Sequence, residues 1–85
     1  MASYSVQIKP SAAKDLEAVP RTFRARIIHR MQALASEPRP HGCEKLSGVD
    51  QYRIRQGSYR IVYAISDSHK SVVIFKIAHR RQAYR

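Results

Sequence analysis

The dipeptide Gly57-Ser58 lies between two runs of alternating apolar residues, QYRIRQ at 51–56 and YRIVYAIS at 59–66, and constrains this chain more than any other feature. Glycine at the first central position of a two-residue loop suits a type II′ turn, whose twist matches that of the strands it joins. A hairpin closed there has its register decided: Gln56 faces Tyr59, Arg55 faces Arg60, Ile54 faces Ile61 and Arg53 faces Val62. Strand side chains alternate, so Tyr52, Ile54, Ile61, Tyr63 and Ile65 share one face while Arg53, Arg55 and Arg60 share the other. Like charges set opposite each other across strands destabilise a sheet. The arginine face therefore points to an anionic partner, and a guanidinium fork grips phosphate through two parallel hydrogen bonds.

The charge of the whole chain supports that reading. Sixteen Lys and Arg oppose six Asp and Glu, a net +10 that favours a polyanion. The excess is uneven: residues 51–85 hold Arg53, Arg55, Arg60, Lys70, Lys76, Arg80, Arg81 and Arg85 against Asp67 alone. A chain of 85 residues is expected to form a single domain spanning 1–85, and at that size it buries roughly 60% of the surface its unfolded form exposes. With 44% hydrophobic residues, three Gly and four Pro, the composition is globular rather than disordered. Cys43 has no second thiol for a disulfide, which fits a reducing compartment. The first residues lack a basic segment followed by an apolar one, and no run nears the ~18 apolar residues of a membrane span. The expected location is cytoplasmic, with no membrane partner.

Upstream of the hairpin, residues 3–8 alternate Tyr4, Val6 and Ile8 with small or polar residues, the period of a half-buried strand. Pro10 ends it, and Ser11 is expected to cap a short helix carrying Ala12, Ala13, Leu16 and Val19. Pro20 suits the first turn of a second helix running to about residue 36. There Phe23, Ile27, Met31 and Leu34 form an apolar stripe, flanked by Ile28 and Ala35, with Arg21, Arg24, Arg26 and Arg30 largely off it. Residues 37–50, with two Pro and two Gly, read as a connecting loop in which Leu46 is an apolar anchor. SVVIFKIAH at 71–79 reads as a third C-terminal strand inside the sheet, with Val73, Phe75 and Ile77 inward and Lys76, Ala78 and Arg80 outward. The expected fold is α+β: a strand, a two-helix hairpin, then a three-stranded antiparallel meander, with the helices on one face of a small sheet.

Other chemistries find little support. The chain has no P-loop, no GxGxxG, no HExxH and no paired carboxylates, so neither a metal site nor another cofactor is expected. His29, His41 and His69 read as structural or solvated, and Cys43 as inert. The tyrosines of the hairpin read as core or sheet-edge residues rather than stacking platforms for bases. The segment HRRQAYR at 79–85 adds an imidazole, three arginines and a phenol directly after the last strand. An imidazole titrates near neutrality and a phenol beside cations is acidified, so either can move a proton during phosphodiester cleavage.

KLSGVDQYRIRQGSYRIVYAI followed by IAHRRQAYR resembles the RelE toxins of the RelE/ParE superfamily of toxin–antitoxin modules, and the likeness covers nearly the whole chain. The resemblance implies a RelE-like, microbial-RNase-like fold and a toxin that enters the ribosomal A site. It implies metal-independent mRNA cleavage by 2′-hydroxyl attack, leaving a 2′,3′-cyclic phosphate. It also implies neutralisation by a RelB-like antitoxin and binding of operator DNA only through the toxin–antitoxin complex. The family's basic positions match Arg53, Arg55, Arg60 and Arg80, and its catalytic tyrosine matches Tyr84; the needs of the reaction then assign charge stabilisation to Arg60 and Arg80, substrate positioning to Arg53 and Arg55, and proton transfer to Tyr84 or His79. Lys45, Lys76 and Arg81 join them as expected RNA contacts. Well-studied members carry lysine at the positions of Arg53 and Arg55, and arginine is not deprotonated in proteins. The hairpin therefore supplies no base, and that duty falls to Tyr84 and His79. Two other functions fit the same fold: a ParE-like gyrase inhibitor, and a non-catalytic protein that binds only its antitoxin or RNA.

Overall fold

A computed structural model describes residues 3–79. Its elements are β1 (Ser5–Ile8), α1 (Pro10–Glu17), α2 (Arg21–Ala33), β2 (Glu44–Lys45), β3 (Tyr52–Gln56), β4 (Tyr59–Ser66) and β5 (Ser71–His79). They form one five-stranded sheet in the order β1-β5-β4-β3-β2. Strands β2 to β5 pair antiparallel with their neighbours and β1 runs parallel to β5. The two helices cover one face, giving the α+β layer pair that the sequence predicts.

The hairpin closes in the expected register, with Arg55 opposite Arg60 and Ile54 opposite Ile61. Gly57 sits at φ 61 while Ser58 does not enter positive φ, the pattern of a type II′ turn. Ile54, Ile61 and Tyr63 are fully buried beneath the helices together with Ile27, Leu34, Val72 and Ile74. Tyr63 keeps its polar end satisfied by donating to the carbonyl of Pro38 at 2.7 Å, and burial pushes its phenol pKa up. Tyr52 stacks on it at 5.9 Å, so both tyrosines belong to the core side.

Several expectations need correction. Ser11 does not cap α1: Pro10 is already helical, and Lys9 occupies the N-cap position in extended conformation without a side-chain cap. Proline's fixed φ and missing N–H suit that first position, which leaves Ser11 inside the first turn. Pro20, likewise, is the N-cap of α2 rather than its first helical residue, and α2 ends at Ala33 rather than near residue 36. Phe23 leaves the apolar stripe and is 46% exposed, tilted against Tyr59 at 6.1 Å. Leu46 is half-buried but stands outside the core, and the loop before the hairpin contributes the short edge strand β2.

The inward face of β5 also differs. Val72 and Ile74 are buried where Val73 and Phe75 were expected, while Ile77 is inward as predicted. A bulge explains the change: Val62 pairs with Lys76 but Tyr63 pairs with Ile74, which leaves Phe75 as an extra residue. Val72 to Phe75 are apolar throughout, so alternation cannot reveal the phase there. The Ile77 amide, two residues past the bulge, donates to the Asp15 carboxylate at 3.2 Å and ties α1 to β5. The helices are joined in turn by Arg24, whose guanidinium donates to the carbonyls of Glu17 and Val19 at 3.0 and 3.1 Å.

At the far end of the sheet, Asp67 in the β4–β5 turn accepts from Tyr4 at 2.6 Å and from Arg39 at 3.0 and 3.2 Å. The Arg39 and Tyr4 hydrogen bonds hold its carboxyl down at about 2, below the ordinary 3.8. A carboxylate depressed by folding adds stability above its unfolded pKa and loses it as pH falls through the folded one. Asp67→Asn is therefore expected to lower the urea midpoint at pH 6. The difference from the native chain should shrink between pH 4 and pH 2 and vanish below.

Candidate nucleic-acid interface

The hairpin and its neighbours set two rows of side chains on the face turned away from the helices. One row runs Arg55, Arg60, Ala78 and the next runs Glu44, Arg53, Val62, Lys76. Pleat alternation, with the opposite face held under α1 and α2 by Ile54, Ile61 and Tyr63, forces the arginines to this side. Arg60 stands on the middle strand of the sheet and is 7% exposed, so its guanidinium is held within the face. Arg55 beside it is open to solvent. Arg30 of α2 donates to the Arg55 carbonyl at 3.4 Å, steadying the hairpin from the helix side.

An acid that the sequence reading passed over belongs to this face. Glu44 pairs with Arg53 across β2 and β3, and their side chains form a salt bridge. The Arg53 hydrogen bond, reinforced by the charges of Arg53, Arg55 and Arg60, holds the Glu44 carboxyl below its usual range. Glu44 was hidden because residues 37–50 read as a loop, where no register can be assigned. Glu44 and Lys45, separated from QYRIR by LSGVD, are too short a signal to predict a two-residue strand.

Of the residues expected to form the site, the fold brings Arg53, Arg55, Arg60 and Lys76 together. Lys45 alternates with Glu44 and lies on the other side of β2, with its ammonium 3.9 Å from Asp50. His79 pairs with Tyr59 at the end of β5, on the helix side of the sheet. Its ring meets the Tyr59 ring edge-on at 5.4 Å and 87°. The two line a pocket of about 340 Å³ with Phe23, Arg26, Gln56, Gly57 and Ser58. Arg80, Arg81 and Tyr84 lie outside the described residues. Among the described residues no three His, Cys, Asp or Glu side chains gather as a metal site, and no helix is long and apolar enough to cross a membrane.

Two helices on one face of a mixed five-stranded sheet make a fold shared with the toxin chains of solved toxin–antitoxin complexes. A family model described as the ParE toxin of the type II toxin–antitoxin system parDE matches residues 6–84. Toxin RelG of Mycobacterium tuberculosis is 33% identical over 86 residues, covering 96% of this chain and 97% of that protein. The archaeal RelE–RelB complex from Pyrococcus horikoshii contains a chain with a TM-score of 0.84 and 31% identity, covering 95% of this chain and 99% of that one. The toxin–antitoxin complex RelBE2 of Mycobacterium tuberculosis gives a TM-score of 0.84 at 30% identity, covering 94% of each chain. This chain belongs to the RelE family of the RelE/ParE superfamily of type II toxin–antitoxin toxins.

Proposed function

We propose that the chain is a metal-independent endoribonuclease that cuts mRNA in the ribosomal A site and so halts translation in the cytoplasm. The observation that carries this reading is the buried Arg60 guanidinium, flanked by Arg53 and Arg55 on the sheet face opposite the helices. In the proposed reaction the 2′-hydroxyl oxygen attacks the adjacent phosphorus, the bond to the 5′-oxygen breaks, and the products carry a 2′,3′-cyclic phosphate and a 5′-hydroxyl. Charge accumulates on the phosphorane oxygens as the bond order changes. Fixed cations aimed at that charge accelerate the step because they need no reorganisation. Arg60 takes this duty with Arg80, while Arg53 and Arg55 align the strand. Holding attacking and leaving oxygens in line supplies much of the rest, which is the part the ribosome performs.

One proton must leave the 2′-hydroxyl and one must reach the 5′-oxygen. Glu44 is a weak base, because three arginines hold its carboxyl in the charged form. His79 turns toward Tyr59 and away from the arginine face. Those positions favour Tyr84 over His79 for proton transfer. Glu44 then acts as a counter-ion that an RNA phosphate replaces at Arg53. Glu44→Gln is accordingly expected to tighten binding of a short RNA several-fold at low salt, with the gain shrinking at high salt as screening grows. An anisotropy titration at two salt concentrations measures it.

The proposed partners are a RelB-like antitoxin, the ribosome with its mRNA, and operator DNA reached only through the toxin–antitoxin complex. A gyrase-directed activity is the second reading, favoured by the ParE description of the matching family. Induction in cells separates the two. Codon-phased mRNA ends with normal DNA supercoiling are expected, whereas double-strand breaks with intact mRNA would make the chain a gyrase poison.

A further inference from the structure

We propose that the arginine face carries a second subsite in which Phe75 stacks an unpaired base of the RNA strand and Lys9 and Lys76 hold the adjoining phosphate. The proposal rests on the nuclease reading and extends it to how the strand is gripped beside the cleaved bond.

The bulge in β5 creates the subsite. Ile74 and Ile77 both point into the core, although three positions apart, so the two residues between them, Phe75 and Lys76, turn outward together. Phe75 is half-buried and takes no part in the core, whose space on that strand is filled by Val72, Ile74 and Ile77. A bulge gives up regular pairing and recurs where a side chain has to be re-aimed. Here the residue re-aimed is a large aromatic, and it lands beside cations. The Lys9 ammonium lies 4.4 Å from the Phe75 ring centroid. Lys76 is exposed and pairs with Val62, in the row that continues to Arg53.

The position suits a strand already held by Arg60. Ala78 is the β5 partner of Arg60, and Phe75 lies three residues back along β5, roughly 10 Å at strand rise. A neighbouring nucleotide can span that gap. Charge decides between occupants: an aromatic ring with the Lys9 ammonium over it, next to exposed Lys76 and in a sheet face that continues to Arg53, favours a ligand that brings a flat face and negative charge together. An unpaired nucleotide does so, since every base has a face to stack and a phosphate beside it. Once the base covers the ring, the Lys9 ammonium is displaced toward the phosphate.

The test uses the full chain and a short single-stranded RNA with 2′-O-methyl riboses, which cannot be cut by 2′-hydroxyl attack. Phe75→Leu should weaken binding about 5- to 150-fold, the range for losing one base–aromatic stack, and Phe75→Trp should bind like the native chain. An RNA with one abasic nucleotide at the stacked position should bind the native chain as weakly as intact RNA binds Phe75→Leu. That variant should be indifferent to the abasic change. Equal affinity of Phe75→Leu and the native chain for intact RNA would overturn the subsite. So would a leucine variant that loses antitoxin affinity but keeps RNA affinity, which would make the patch a protein contact. The nuclease reading fails separately, if Arg60→Ala leaves both RNA binding and mRNA cleavage in cells unchanged. Native cleavage with binding indifferent to Phe75 sinks the subsite alone.

Discussion

Arg60→Ala is expected to lower cleavage of ribosome-bound mRNA by about 10²- to 10³-fold, the usual loss when one preorganised charge-stabilising group is removed. The guanidinium is held on the middle strand of the sheet, between Arg55 on β3 and Ala78 on β5, and is 7% exposed, so it is fixed within the face before substrate arrives. Arg60→Lys keeps the charge but loses the planar fork, and its activity should fall between the two. Stability should not follow activity. The substitution removes a like-charge pair directly across the hairpin, an arrangement that destabilises a sheet. A melting curve alongside the cleavage assay separates the effects: a large loss of cutting with a native-like transition is the expected pair of results. Loss of both together would mean that Arg60 acts chiefly in folding.

Ile61→Ala is expected to have the largest effect on stability. Ile61 is fully buried and pairs with Ile54 on one side and Ile77 on the other, making the inner row directly behind Arg60. Emptying such a site costs about 2–5 kcal/mol, whereas Ile61→Val costs about 0.5–1.5 kcal/mol. Domains of this size have stabilities on the order of 5–10 kcal/mol. Each kcal/mol shifts the melting temperature by about 4–8 °C, so the alanine variant should melt roughly 10–40 °C lower and sit near the limit of folding. Thermal unfolding followed by circular dichroism measures this. A drop of only a degree or two would show that the core does not rest on the hairpin.

The hairpin was legible in the sequence because its turn and alternation agree. Gly57 requires positive φ, and once it is placed every pair from Gln56–Tyr59 to Arg53–Val62 follows. The arginine face came with it. β5 was harder for the opposite reason: four consecutive apolar residues carry no phase, and the bulge at Phe75 lets Ile74 and Ile77 both face inward. Phe23 shows the limit of helical periodicity, since it keeps the stripe's spacing but lies in the first turn of α2, 46% exposed at the mouth of the pocket beside Tyr59. Glu44 was invisible because its position depends on a two-residue edge strand set by pairing with Arg53 and Tyr52, not by any local preference. His79 and Arg60 join in one expected site through the roles that the resemblance suggests. Strand alternation separates them, placing one beneath the helices' edge beside Tyr59 and the other on the far face.

The central claim is that fixed cations, without a metal, drive attack by the 2′-hydroxyl. The chemistry of the cut ends tests it most directly. Programmed ribosomes incubated with the purified chain should yield mRNA fragments ending in 2′,3′-cyclic phosphate and beginning with 5′-hydroxyl, and Arg60→Ala should suppress both ends equally. Fragments ending in 3′-hydroxyl and beginning with 5′-phosphate would mean that water attacks instead, and would contradict the account.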